Sequence, residues 1–266
     1  GWAAGGVMAG IIAYVIGKIC LGLRSDYLAI ATIGISEIIR ALIKNMDWLT
    51  RGTLTVSPIP WPTPLPADIA AAGMDDATMS VILARSGFLA VTVILIAVIF
   101  FFLQRAYNGP WGRMMRAIRD NHVAAGAIGK NVTKRELEIF VLGAILMGIG
   151  GAILATYVQI LDPSGYQPIN HTFIVWVMII VGGAGNNWGA LFGAVFIYIV
   201  WTISEPASLV LFSMISDLSE GAGIGAIPDI ESRALQMRVF VLGLVITFAL
   251  RYAPQGMIPE RVRTDD

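Results

Sequence analysis

The sequence predicts an all-α, polytopic membrane protein, and three observations carry that class. Hydrophobic residues fill 56% of the 266 positions and charged residues only 14%, where a soluble domain carries about 25% charged residues. Mean hydropathy is +0.75, so there is too little polar surface to cover a globule in water. Second, the runs 86–103 and 137–158 are almost wholly apolar and long enough, at ~1.5 Å per residue, to cross ~30 Å of hydrocarbon as helices. Third, the charges cluster between such runs. The stretch 104–136, QRAYNGPWGRMMRAIRDNHVAAGAIGKNVTKRE, holds seven of the eighteen Lys and Arg residues. Helices satisfy their backbone polar groups internally, which lipid demands.

The formal net charge is zero, so nothing points to nucleic acid as a partner; the placement of the charges carries the information. A single cysteine, Cys20, excludes a disulfide within the chain and argues against a thiolate metal site. It reads as a small apolar filler.

Taken in order, the first span is 2–17, followed by Lys18 and Arg24. It begins without a charged leader or cleavage signature, and at least one further N-terminal helix is expected before it. Gly6 and Gly10 lie one turn apart, a spacing that lets helix backbones approach closely in lipid. The second span is 27–43. Glu37 and Arg40 share a helical face. Thr32 and Glu37 are candidates for a solute path, while Arg40 reads as an interfacial side chain at the helix end. Residues 44–85 form an external loop. Within it Pro58, Pro60, Pro62, Pro64 and Pro66 alternate with other residues, which excludes helix and gives extended chain, read as a spacer.

Span 86–103 has Arg85 at its outer end and Arg105 at its inner end. The basic loop 104–136 follows, with a helix expected over 113–128 and Gly129 ending it as a C′ residue. Thr133 and Glu136 have capping-box spacing and set the start of span 137–158. Ala144, Gly148 and Ala152 form a small-residue ridge along that span. Residues 172–203 exceed one crossing and break at 182–188, giving spans 172–182 and 187–203. Gly182, Gly183 and Gly185 either form a tight cytosolic turn, the preferred reading, or interrupt the chain at membrane depth and line a translocation path. Residues 204–234 read as an external loop with a small interfacial helix. Span 235–250 and a polar tail with Arg251, Arg261 and Arg263 complete the chain. The positive-inside rule puts 104–136 and the tail in the cytosol.

Catalytic constellations are hard to find. His122 and His171 fall on opposite sides of the membrane in this topology. Gly129-Lys130-Asn131 lacks both the leading glycine and the Ser or Thr of a phosphate-binding loop. No cofactor is expected, and energy for transport must come from a partner or an ion gradient. Only Glu37 and Glu138 put acid within the spans, and Glu138 suits the first helical turn, which weighs against a gradient-driven carrier.

Four motifs together resemble one family. RAIRDNHVAAGAIGKNVTKREL (116–137) is similar to the cytosolic loop of LivM-type permease subunits of branched-chain amino acid ABC importers. SDYLAIATIGISEIIR (25–40), GGAGNNWGALFGA (182–194) and RYAPQGMIPE (251–260) resemble that family's other motifs, in the family's order. The resemblance implies a type II-like ABC-importer permease fold in one transmembrane domain over 1–266, set in a bacterial-type inner membrane. It implies a coupling helix with Arg116, Ile118, Arg119, Ala124, Ala125 and Gly129 in its motif. Met115, Ile118, Ala125 and Ile128 would fill a groove on the ATPase, with Arg116 and Arg119 meeting acidic rim groups. The implied partners are two cytosolic ATPase subunits that bind the ATP, a second homologous permease subunit and an external solute-binding protein. LTRGTLTVSPIP (49–60) departs from the family pattern at Arg51 and Val56. The implied solute is a branched-chain or hydrophobic amino acid. Alternatives are urea or short amides, a gradient-driven carrier, or a membrane interaction subunit without a pore.

Overall fold

The computed structural model describes residues 1–23, 25–46, 48, 54–71, 73, 76–162, 169–221 and 228–260. The chain divides into two units, Gly1–Gly165 and Tyr166–Asp266. The described residues are mostly helical, and their extended pairing is an isolated bridge, Val56 with Leu161.

The first unit contains α1 (Trp2–Cys20), α2 (Ser25–Asn45), α3 (Pro66–Ala71), α4 (Ala77–Asn108), α5 (Pro110–Asp120), α6 (His122–Ala127) and α7 (Val132–Val158). Helix α1 buries Gly6, Gly10, Ala13, Gly17 and Cys20. Their alternating four- and three-residue spacing is the stripe that keeps one seam against a partner helix. That partner is α7, running antiparallel: Gly6 lies on Ile149, Gly10 on Ile145 and Gly17 on Leu137. Two members of the small-residue ridge join this contact. A Cβ on Gly148 would come 2.6 Å from the Ala9 Cβ and 2.7 Å from the Gly5 carbonyl oxygen, and one on Gly5 would come 3.2 Å from the Ala152 Cβ.

An aromatic cluster closes one end of this pair. The Trp2 indole donates to Thr156 Oγ1 at 3.0 Å. Phe88 of α4 is buried beneath the rings of Trp2, Trp61 and Tyr157, with centroid distances of 6.1, 5.2 and 5.7 Å. The proline-rich segment is pinned over these helix ends: Val56 and Leu161 exchange backbone hydrogen bonds, and Ile59 N donates to Gln159 O at 3.1 Å. It is a fitted lid rather than the free spacer the alternating prolines suggest. The expected loop 44–85 also contains α3 and the first turns of α4. Asp76 starts α4 by accepting from Thr78 N and Met79 N at 2.9 and 3.4 Å, a cap well before residue 86.

In the second unit a π-turn (Ile169–Phe173) leads into α8 (Ile174–Gly182), then α9 (Asn187–Gly221) and α10 (Ile230–Tyr252). Ile174, Val177, Val181, Ile197 and Leu242 form its core. Helices α8 and α9 make a hairpin whose backbones touch at Gly182, Gly189 and Gly193. Gly183 has φ +117°, and a Cβ there would strike the Ile258 carbonyl. The chain after α10 folds onto this turn: Met257 N donates to Val181 O at 2.9 Å, Ile258 N to Gly182 O at 3.0 Å, and Asn186 Nδ2 to Pro259 O at 3.3 Å.

Helix α9 runs on to Gly221, where the sequence pattern ends a span at 203 and predicts a loop over 204–234. Pro206 sits inside it and removes the bond to the Thr202 carbonyl. Nearby hydroxyls turn inward instead, Ser208 Oγ donating to Ser204 O at 2.6 Å, and the helix carries through.

Among the described residues five helices are long and apolar enough to cross a membrane: α1, α4, α7, α9 and α10. Helix α2 has 21 residues but carries Glu37, Arg40 and Lys44 and falls outside that set. The piece His171–Gly182 is apolar but shorter, ~18 Å at the helical rise against ~30 Å of hydrocarbon.

The α1–α7 contact makes a prediction. Gly148→Val should destabilise the protein by about 1–3 kcal/mol through overpacking, read as a lower midpoint in thermal unfolding of the detergent-solubilised chain. Gly150→Val, with nothing within 4 Å of its added Cβ, should leave the midpoint nearly unchanged.

Candidate functional site: the basic loop and its exposed face

The loop between α4 and α7 is built by local signals in sequence. Pro110 stands at the start of α5, where its missing N–H costs nothing. Asn121 is extended at φ −156°, ψ 94°, which ends α5, and its Oδ1 accepts from Ala124 N at 3.0 Å, which starts α6. One helix over 113–128 is therefore replaced by two, because an Asn side chain competes with the backbone for hydrogen bonds and favours a cap. Gly129 follows α6 with φ +80°, as expected for C′. Helix α7 begins earlier than the capping-box spacing suggests: Asn131 is its cap, accepting from Lys134 N at 3.0 Å. Thr133 and Glu136 lie within its first turn and a half.

The side chains sort into an inner and an outer set. Ile118 and Ala125 are buried and hold α5 and α6 together. They border a cavity of about 430 Å³ shared with Trp111, Met114 and Ile128. Arg116 turns back toward α4: its Nη1 donates to Tyr107 O at 3.1 Å and its guanidinium lies 4.4 Å from the Tyr107 ring centroid. Arg135 Nη1 donates to Glu138 Oε2 at 2.7 Å. Ile118, Ala125 and Arg116 thus shape the loop from within, instead of all facing outward as the motif reading placed them. The outward apolar surface belongs to Val123, 69% exposed, and Ile128, 75% exposed. Around it Ala124, Gly129 and Lys130 are exposed. Arg119 is also exposed and pairs with its neighbour Asp120 at 3.2 Å, a surface pair worth about 0–1 kcal/mol.

The candidate path residues divide between the two units. Thr32 donates to Leu28 O at 2.9 Å. Glu37 is exposed and bonded to Arg40 at 3.0 Å. Five positions apart on α2, Thr32 and Glu37 point about 140° from one another. In the second unit Gly182 and Gly183 are buried against backbone, and only Gly185 is exposed. The structure gives these two glycines a packing role.

Sequence reasoning missed an ion pair in the second unit. Arg238 of α10 donates to Glu205 of α9, and its guanidinium lies 4.5 Å from the Trp201 ring centroid. Arg238 Nε is buried without a hydrogen-bond partner. Glu205 lies just past 203, where the sequence pattern ends a span, and so falls outside the acids the pattern places within the spans. The signal available was Arg238 inside the run 235–250, which calls for a partner.

Comparison with known proteins decides the family. The model of the branched-chain amino acid transport system / permease component family matches residues 1–250. The chain belongs to this family. It is 25% identical over 260 residues to the probable branched-chain amino acid transport permease protein LivM of Methanocaldococcus jannaschii, covering 96% of this chain and 67% of that one. It is 26% identical over 204 residues to the high-affinity branched-chain amino acid transport system permease protein LivM of Escherichia coli K12, covering 73% of this chain and 48% of that one. It is also 31% identical over 111 residues to the fructose import permease protein FrcC of Rhizobium meliloti, covering 40% and 30%. The chain thus spans about two thirds of the first relative and about half of the second. No solved structure matches. The protein is a polytopic, all-α membrane permease of an ABC transporter family.

The ion pair generates a prediction for this permease. Glu205→Gln leaves a half-buried guanidinium uncompensated, at a cost between the ~0–1 kcal/mol of an exposed pair and the ~3–5 kcal/mol of a buried one. The unfolding midpoint should fall, and the charge-swapped double variant Glu205→Arg/Arg238→Glu should recover part of it.

Proposed function

We propose that the chain is the membrane-spanning permease subunit of an ATP-driven importer in a bacterial-type inner membrane, moving branched-chain or other hydrophobic amino acids inward. The observation that carries this reading is the α5–α6 surface. Two exposed apolar side chains, Val123 on α6 and Ile128 at its C-cap, are braced by the buried Ile118 and Ala125, and Arg119 and Lys130 of the same loop are exposed. Such a face suits a groove with an acidic rim on a cytosolic ATPase, as in helix-in-groove recognition. The positive-inside bias of 104–136 supports its cytosolic placement.

In this reading two ATPase subunits bind and hydrolyse the nucleotide, and the permease adds no cofactor. A second homologous permease subunit completes the channel, and an external binding protein delivers the solute. Movement of the ATPases pushes α5 and α6, and through them α4 and α7. The solute is the branched-chain class because the two LivM relatives are named for it. Urea and short amides remain the competing class within the notion of an amino-acid-type permease. The fructose permease relative shows why the solute is tested directly on the binding protein.

Two measurements test the proposal. In proteoliposomes containing the full complex, Val123→Asp/Ile128→Asp should cut ATP-driven uptake at least tenfold and weaken co-purification of the ATPase subunits. Capture of the external binding protein should be unchanged. A titration of that binding protein should rank leucine, isoleucine and valine above urea and acetamide. Uptake that persists with a catalytically dead ATPase would refute the importer assignment, while a reversed ranking would refute only the solute.

A further inference from the structure

We infer that the elbow between α4 and α5 binds an anionic glycerophospholipid, its phosphate held by Arg105 with Arg113 and its acyl chains against Phe101 and Phe102. The depth is right for a headgroup. Arg105 lies two residues beyond the apolar run 86–103, which spans ~27 Å as helix, so its guanidinium sits where hydrocarbon gives way to phosphate.

The space is there as well. A cavity of about 580 Å³ opens at the elbow, lined by Phe101, Gln104, Arg105, Asn108, Gly109 and Pro110. Its lining joins the Phe101 ring to the polar side chains of Gln104, Arg105 and Asn108. Phe101 and Phe102 are 62% and 63% exposed and continue the apolar wall along α4.

Charge supplies the third argument. Arg105, Arg113 and Arg116 gather around the last turn of α4. Arg113 Nη1 donates to Asn108 O at 3.2 Å and Arg116 Nη1 to Tyr107 O at 3.1 Å. Carbonyl bonds and the Tyr107 ring leave the charge in place. Among the described residues none of these three arginines forms an ion pair. Three guanidinium groups at the bilayer surface without a carboxylate draw a phosphate, which a guanidinium can meet with two parallel hydrogen bonds. Free inorganic phosphate would satisfy the charge but would leave the Phe101–Phe102 wall unused, so the lipid is the better occupant.

The inference rests on the membrane depth of α4 and not on the solute or on the ATPase contact, so it fails or stands separately from the proposed function. The test uses the assembled transporter in nanodiscs of phosphatidylglycerol and phosphatidylethanolamine in equal parts, with retained lipid identified by native mass spectrometry. The wild type should retain phosphatidylglycerol in preference. Arg105→Gln should reduce that preference about fivefold, the effect of one basic group near an anionic surface, and Arg105→Lys should restore part of it. A photoreactive phosphatidylglycerol, applied to the wild type alone, should crosslink within residues 101–113. Millimolar inorganic phosphate should not displace the lipid; if it does, the site takes free phosphate. Equal retention of the two lipids by the wild type, or crosslinking confined to other segments because ATPase residues fill the elbow, overturns the inference.

Discussion

Backbone-to-backbone contact between helices is the constraint on which the structure depends. Lipid tails are as apolar as leucine, so two apolar helices gain nothing by leaving lipid for each other. They associate only where close packing or polar contacts reward it. Both units meet that condition with glycine. In the first, Gly148 brings α7 onto Gly5 and Ala9 of α1. In the second, Gly182, Gly189 and Gly193 bring α8 onto α9, and Gly183 admits the carbonyl of Ile258. Larger side chains at these points would clash with the facing helix and push the backbones apart. The polar anchors then fix register: Trp2 on Thr156 in one unit, Glu205 on Arg238 in the other.

The same constraint explains what the remaining helices lack. Helices α4 and α7 present long apolar faces with few buried positions, and α2 shows Tyr27, Ile30 and Ile33 outward. In a water-soluble protein such surface would mark a fault. In a permease it meets lipid, or the second subunit that the proposed assembly requires. Lys18 and Arg105 sit in the last turns of α1 and α4 for the same reason. The Glu205–Arg238 pair lies within its helices, and its geometry offsets the cost of that placement: the acid and the base face each other, and the guanidinium also rests on Trp201.

Much of this was legible in the residues. Composition and apolar run length give the class, because lipid admits few backbone solutions. The small-residue spacing of Gly6 and Gly10, and of Gly148 and Ala152, marks the α1–α7 seam because only small side chains permit it. Gly129 ends its helix as its position suggests. What was not legible came from competition between local signals. Asn121 and Asn131 each outcompeted a reasonable pattern, one by splitting an expected helix and one by starting α7 ahead of the Thr133 and Glu136 spacing. The alternating prolines of 58–66 suggest a free spacer, yet Val56 and Ile59 bond to the end of α7. The sequence pattern ends a span at 203, yet α9 runs on through Pro206 to Gly221. In the coupling motif the residue types were readable but their directions were not. Whether Ile118 or Ile128 faces outward depends on the break at Asn121, which rotates one helix relative to the other.

That break also bears on how a push on the loop would be transmitted. A docking face mounted on one continuous helix would pivot about a single joint to the membrane. Here α5 is fixed to α4 more tightly than one glycine elbow implies. Arg113 and Arg116 both reach back to the last carbonyls of α4, and Gly112 lies directly on the Tyr107 backbone. At the other end Asn131 caps α7 within a few residues of α6, and Arg135 braces Glu138. A force on Val123 and Ile128 therefore has two stiff exits, into α4 and into α7. Helix α7 carries α1 with it through the glycine seam, while α4 carries Phe88 beneath the proline lid at its far end. The proposed coupling needs no flexible relay, because each helix that receives the push is a single element from the loop to the opposite face.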